Sequence, residues 1–189
     1  MKRLIIILLL WLGIPFALEA QDALPRTVKE IRQRYADTQQ SIALMNEEEH
    51  MKNLLVTTVQ HNMPGTGIRK ETISCYFGEF GEESEEWAPD YRPFFVTRRF
   101  NVSARKFYEE YLFDGESGRL LFVFFQGDSM EGQGKKDETR YYYGPDGLIS
   151  ENVKGERIVE SNTALEMAAT LSASLRSQLN AFGTTANAY

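Results

Sequence analysis

Two histidines, one cysteine and a dense run of glutamates are the side chains in this sequence that could carry chemistry. His61 and Cys75 would form a nucleophilic pair if a hairpin brought them together. The turn between them, "NMPGTG", leaves them several residues out of register, and Cys75 in "ETISCYFGE" reads as a buried, inert thiol. His50 ends the acidic run "NEEEH". Glu109 and Glu110 are adjacent, so a strand would send them to opposite faces, where they cannot act as an acid and base pair. Glu79, Glu82, Glu83, Glu85 and Glu86 are close in sequence but lie in a loop. Glycoside hydrolysis needs two rigidly placed carboxyls, about 5–10 Å apart, one of them with a raised pKa. A solvated acidic loop is the simpler reading. The expectation is that no Gly-x-Ser-x-Gly elbow, Ser-x-x-Lys or His-Glu-x-x-His motif, glycine-rich phosphate loop or dinucleotide fingerprint is present. "DGESG" has too few oxygen ligands for a calcium loop, and zinc lacks its nitrogen and sulfur donors. No cofactor and no metal are expected.

Aromatic residues are the compositional excess, at 12 %. β-propensity and core packing account for most of them. "YYY" must place tyrosine on both faces of a strand, so one ring is expected to be partly exposed. Trp87, Tyr91 and Tyr142, beside the acidic Glu82, Glu83, Glu85 and Glu86, form the candidate ligand surface, a platform for a sugar or a peptide. Arg98 and Arg99 in "TRRF" fall on opposite faces. Two modification patterns are present. Asn101-Val102-Ser103 is an N-glycosylation acceptor in a eukaryotic secretory path. Asp128-Ser129-Met130 has the form of a short bacterial O-glycosylation acceptor, with Ser129 as the modified residue.

These residues need a scaffold, and the pattern describes one. "MKRLIIILLLWLGIPFALEA" has a basic start, an apolar run and a small residue at Ala20, the organisation of a secretory signal peptide. The expectation is export to the periplasm or cell surface, with residues 1–20 removed and no membrane span retained after cleavage. Cleavage would remove Lys2, Arg3 and Glu19. The full chain's net charge is −6, and 19 basic against 26 acidic side chains would then leave −7. An acidic chain argues against nucleic acid and anionic membranes as partners. The unknown partner is expected to be a protein or a glycan, and a homodimer is compatible with the sequence. The single cysteine allows no internal disulfide, so stability must come from packing. Residues 21–189 suit one domain.

Val28, Ile31, Tyr35, Thr38, Ile42 and Met45 recur at spacings of three and four, which predicts a helix over about 26–48 with one narrow apolar stripe. From Asn53 the period becomes two. Strands are expected in "NLLVTTVQ", "IRKETISCYF", "FFVTRRFNV", "KFYEEYLF", "RLLFVFF", "TRYYYG" and "LISENVK". "DGESG" and "GPDG" are compact hairpin turns, "GEFGEESEEWAPDYRP" is a loop, and "GDSMEGQGKKDE" reads as a long mobile connector. Thr163 and Glu166 have capping-box spacing for a second helix. Leu165, Ala168, Leu171, Leu175, Leu179 and Phe182 would line it, Gly183 would close it, and a frayed tail would follow from about 184. The fold class is therefore α+β: an N-terminal helix on a curved antiparallel meander of about seven strands, then a C-terminal helix. In "RLLFVFF" strict alternation places Leu120, Phe122 and Phe124 on one face and Leu121, Val123 and Phe125 on the other. A strand apolar on both faces should be central and covered on both sides.

"TVKEIRQRYADTQQSIA", "YEEYLFDGESGRLLFVFF" and "RYYYGPDGLI" together resemble a group of uncharacterised exported proteins of Bacteroidetes. The resemblance implies export and a one-domain fold, and it brings no catalytic residues. The functional expectation is a non-enzymatic binding or accessory module of the cell envelope. The alternatives are an envelope-glycan enzyme using loop carboxylates and an inhibitor-like protein of a hydrolase.

Overall fold

The computed structural model describes residues 24–47, 53–65, 67–79, 90–132 and 134–186. The expected signal peptide, His50, Glu82, Glu83, Glu85, Glu86 and Trp87 lie outside them. The chain runs α1 (Val28–Glu47), β1 (Leu54–Met63), β2 (Gly67–Glu79), β3 (Tyr91–Val102), β4 (Arg105–Phe113), β5 (Leu120–Asp128), β6 (Lys136–Gly144), β7 (Gly147–Lys154) and α2 (Ser161–Ala186). The strands form one antiparallel sheet in the order β1-β2-β3-β4-β5-β6-β7. Each strand pairs with its neighbour in sequence, because the connections are too short for a crossover.

The two helices cover opposite faces of this sheet. Ile31 and Ile42, with Val28 and Tyr35 beside them, pack on Phe95, Leu112, Leu121, Phe122 and Tyr142. The Tyr35 ring meets Phe95 and Phe122 edge-on, with centroids 5.9 and 5.4 Å apart. Such pairs add about 0.5–1.5 kcal/mol each beyond area burial. Leu175, Leu179, Ala164 and Ala168 of α2 pack on Cys75, Val96, Tyr111, Val123, Phe125, Tyr141 and Tyr143. Ala164 and Ala168 are fully buried, so the start of α2 lies close to the sheet. Tyr141 and Tyr143 donate their hydroxyls to the carbonyls of Val159 and Ser161, which ties that end of α2 to β6.

β5 is covered on both faces, as its sequence requires, but strict alternation fails at one place. Leu112 pairs with Phe122 and Phe113 with Leu120, so Leu121 is a bulge. The extra residue resets the parity: Leu120 joins Val123 and Phe125 under α2, and Leu121 joins Phe122 and Phe124 under α1. Equivalent register shifts leave Phe94 in β3 and Ile149 in β7 as extra, unpaired residues.

Other local expectations need correction. All three tyrosines of "YYY" are buried, because each sheet face carries a helix. β3 begins at Tyr91, so Tyr91, Arg92 and Pro93 are strand, with Pro93 next to the bulge, where a missing N–H costs no ladder bond. β5 and β6 extend into the polar connector and leave only residues 129–135 between them. α2 starts at Ser161, where the Ala164 N–H donates to the Glu160 carbonyl, so Thr163 and Glu166 fall inside the helix. It continues through Gly183 to Ala186, so the expected stop at Gly183 is not where the helix ends, and residues 187–189 of the expected tail lie outside the described residues. Leu165 and Phe182, expected in the stripe, are exposed, and Ala164 takes the buried position. The reciprocal capping box belongs to α1: Glu30 N–H donates to Thr27 Oγ1, and Thr27 N–H to Glu30 Oε2.

Candidate functional site

Strand register places the side chains of the α1 face in rows across the sheet. One row carries Tyr76, Phe95, Leu112, Phe122 and Tyr142, and α1 lies on it. The next carries Ser74, Thr97, Glu110, Phe124 and Arg140. Beyond it come Thr72, Arg99, Tyr108, Gln126 and Glu138, and after those Asn101 with Lys106, and Asp128 with Lys136. α1 therefore roofs one end of this face and leaves the other open.

Where the roof ends, a cleft of about 320 Å³ opens between Arg32 and Tyr35 of α1 and Glu110, Phe124, Arg140 and Tyr142 of the sheet. Glu110 organises it. Tyr35 donates its hydroxyl to Oε2 at 2.8 Å, and Tyr108 donates to Oε1 at 2.7 Å. Burial first, and the Glu110 carboxylate second, raise both phenols well above the usual range, so the two tyrosines stay protonated donors. The Arg140 guanidinium lies 4.5 Å from the Phe124 ring centre and pairs with Glu138 at 2.9 Å. Arg32 lies over the Tyr142 ring and donates to its hydroxyl at 3.4 Å. Donors, one carboxylate and ring edges thus line a single concave surface, which is equipped to hold a ligand.

Tyr108 also lines a second cleft, of about 340 Å³, on the open end of the same face. Lys70, Arg99, Lys106 and Lys136 border it together with Asn101 and Gln126. Asn101 braces this corner: Oδ1 accepts the Lys70 N–H, and Nδ2 donates to the carbonyls of Ile68 and Ser103. Its amide is committed to these bonds, which sets it against the N-glycosylation reading.

The α2 face has its own polar network, which the sequence does not announce. Arg98 bridges Glu71 at 2.7 Å and Glu109 at 3.2 Å, Arg69 holds the other Glu71 oxygen, and Tyr111 donates to Glu109. Burial raises the Glu109 carboxyl above its usual range against the pull of Arg98 and Tyr111. These contacts tie β2, β3 and β4 together, and Arg69 Nε is the member atom left buried without a hydrogen-bond partner.

Tyr91 and Tyr142 do not form one platform. Tyr91 stands on the α2 face, edge-on to Phe77, and its N–H donates to Asn180 Oδ1. Tyr142 is on the α1 face, 5 % exposed. Ser129 opens the β5–β6 connector. Its Oγ accepts the Glu131 N–H, and the neighbouring Asp128 carboxylate binds Lys136 and the Lys106 N–H. His61 pairs with Arg69 and Cys75 with Leu55, which separates them by six ladder positions. Burial pushes the Cys75 thiol up to about 12. Ser103 and Lys106 have Ser-x-x-Lys spacing, which corrects the expectation that no such pattern is present. Ser103 sits in the tight β3–β4 turn at φ 55°, not at a helix start. Among the described residues no three His, Cys, Asp or Glu side chains are grouped to hold a metal ion, and no helix is long and apolar enough to cross a membrane.

In comparisons with protein-family models, curated proteins and solved structures, none matches this chain.

Proposed function

We propose that this protein is an exported, non-catalytic binding module of the cell envelope that takes its ligand on the α1 face of the sheet. The observation that carries this reading is the incomplete roof. α1 covers the apolar row and stops, leaving Glu110, Tyr35, Arg140 and Phe124 at the mouth of a cleft with their geometry already set by mutual contacts. A closed core would not direct these groups toward a concave surface, and preset side chains lose less entropy when a ligand binds. Export rests on residues 1–20 and accords with a chain whose single cysteine is buried. Of the aromatic sheet and the acidic loop that the sequence offers as binding surfaces, this reading takes the sheet.

One experiment tests both parts. Protein recovered from the periplasm should have an intact mass that begins near Gln21. Isotopically labelled, it is titrated with envelope oligosaccharides and peptides. The expected result is amide shifts concentrated at Tyr35, Tyr108, Glu110 and Phe124. Shifts confined to the α2 face, or chemical turnover of any panel member, would overturn the reading.

A further inference from the structure

We infer that the open end of the α1 face is an oxyanion site, where Lys70, Arg99 and Lys106 converge on a multiply charged phosphate, sulfate or carboxylate group of a small ligand. The inference rests on the reading of this face as a binding surface and names the ligand chemistry.

Charge placement is the first observation. Acidic side chains outnumber basic ones 27 to 21 in the chain, yet four cations and no carboxylate line this cleft. Lys70, Arg99 and Lys106 come from three successive strands. Neighbouring strands lie about 4.8 Å apart and alternate residues about 6.8 Å apart, so their Cα atoms form a triangle with sides of roughly 8–10 Å. That is close to one Debye length at physiological salt, so the charges repel unless an anion lies between them. Each side chain is long enough to reach the centre of the triangle.

Partners are the second observation. Among the described residues, Arg69, Arg92, Arg98 and Arg140 of the same sheet each pair with a carboxylate. Arg99 does not: its guanidinium lies 4.7 Å from the Tyr108 ring centre. Stacking holds the guanidinium plane while its N–H edge remains available for two parallel bonds to an oxyanion. The Asn101 hydrogen bonds hold the backbone between Lys70 and Lys106, so the triangle is preset.

The same surroundings restrict the ligand. Phe100 stacks on Phe107 at 5.1 Å and is covered by Arg69 and Arg98, and Arg99 covers Tyr108. Single-stranded nucleic acid needs ring faces for its bases, and these are occupied. Asp128 stands between Lys106 and Lys136, accepting the Lys106 backbone N–H and pairing with the Lys136 ammonium, so an extended polyanion laid across the strands would meet a carboxylate. A compact, multiply charged group fits the triangle, and a polymer does not.

Calorimetric titration with tripolyphosphate, citrate and a sulfated disaccharide tests this. At least one probe should bind saturably at one site, more weakly as salt rises, and the order of affinities separates phosphate, carboxylate and sulfate chemistry. Arg99→Gln and Lys106→Gln should each weaken binding about fivefold or more. Lys29→Gln, on the solvent side of α1, should leave it unchanged. All three triangle residues are exposed, so the variants should melt like the wild type. Should Arg99→Gln melt early, Lys70→Gln and Lys106→Gln carry the test. Absence of saturation at millimolar concentrations of every probe, or an equal loss in Lys29→Gln, overturns the inference. If the probes fail while an uncharged oligosaccharide still shifts Tyr108 and Phe124, the oxyanion site falls and the binding face stands.

Discussion

Asp114 shows how one carboxylate can fasten two elements. It accepts the Ser117 N–H and hydroxyl, which shapes the β4–β5 turn, and it pairs with Arg34 of α1. Burial alone would raise this carboxyl. The bonds from Ser117 and the charge of Arg34 outweigh it and hold the group below its usual value of 3.8. A depressed carboxyl adds stability above the unfolded value and loses it as pH falls through the folded value. Glu109 has the opposite sign: burial raises it above 4.5, so stability is lost as pH rises through its folded value. Asp114→Asn should cost about 1–3 kcal/mol at neutral pH. The lower part of that range is expected, since the Arg34 side chain is 35 % exposed and its share is screened. The difference from wild type should close as pH falls below about 3.8, where the native residue also becomes neutral. Urea denaturation at neutral and acid pH measures it, and a gap independent of pH would separate Asp114 from the effect.

At the scale of the element, β5 decides the architecture. Phe122 packs under α1 and Val123 under α2, so adjacent residues report on different layers. Phe122→Ala should cost about 3–5 kcal/mol, and Val123→Ala less, about 1–3 kcal/mol. Chemical denaturation of the two variants checks this, and the burial of both faces would be refuted by two unmoved transitions. The bulge at Leu121 makes this arrangement workable. Without it, Leu120 would face α1 and Leu121 would face α2, exchanging the layers they now fill. A bulge also adds twist, and the three register shifts bend the sheet between its helices.

For the whole molecule, the two layers share one sheet, so neither can dissolve without exposing strands of the other. They should unfold as one unit. Ile31 belongs to the α1 layer, whereas Tyr111, Tyr141 and Tyr143 belong to the α2 layer. Ile31→Ala should cost about 2–5 kcal/mol. It should also move the far-ultraviolet and tyrosine near-ultraviolet circular dichroism melts together. A tyrosine signal that keeps its wild-type midpoint while the helical signal shifts would show two independent layers.

Elements were legible in the sequence because their signals are local. The stripe from Val28 to Met45 carries the period of a helix, and "DGESG" and "GPDG" contain their turn chemistry within a few residues. The apolar run in β5 already required cover on both faces. The capping box at Thr27 and Glu30 was equally legible, since both residues and their spacing are in the sequence. Register was not legible, because it depends on which residue of a neighbouring strand takes each hydrogen bond. The bulge that sends Leu120 to α2 and Leu121 to α1 exists only between β4 and β5. For the same reason Glu110 could be separated from Glu109 by strand alternation, but not joined to Tyr35, which lies 75 residues away. Lys70, Arg99 and Lys106 are scattered cations along an acidic chain, and only pairing across β2, β3 and β4 gathers them on one side of the sheet.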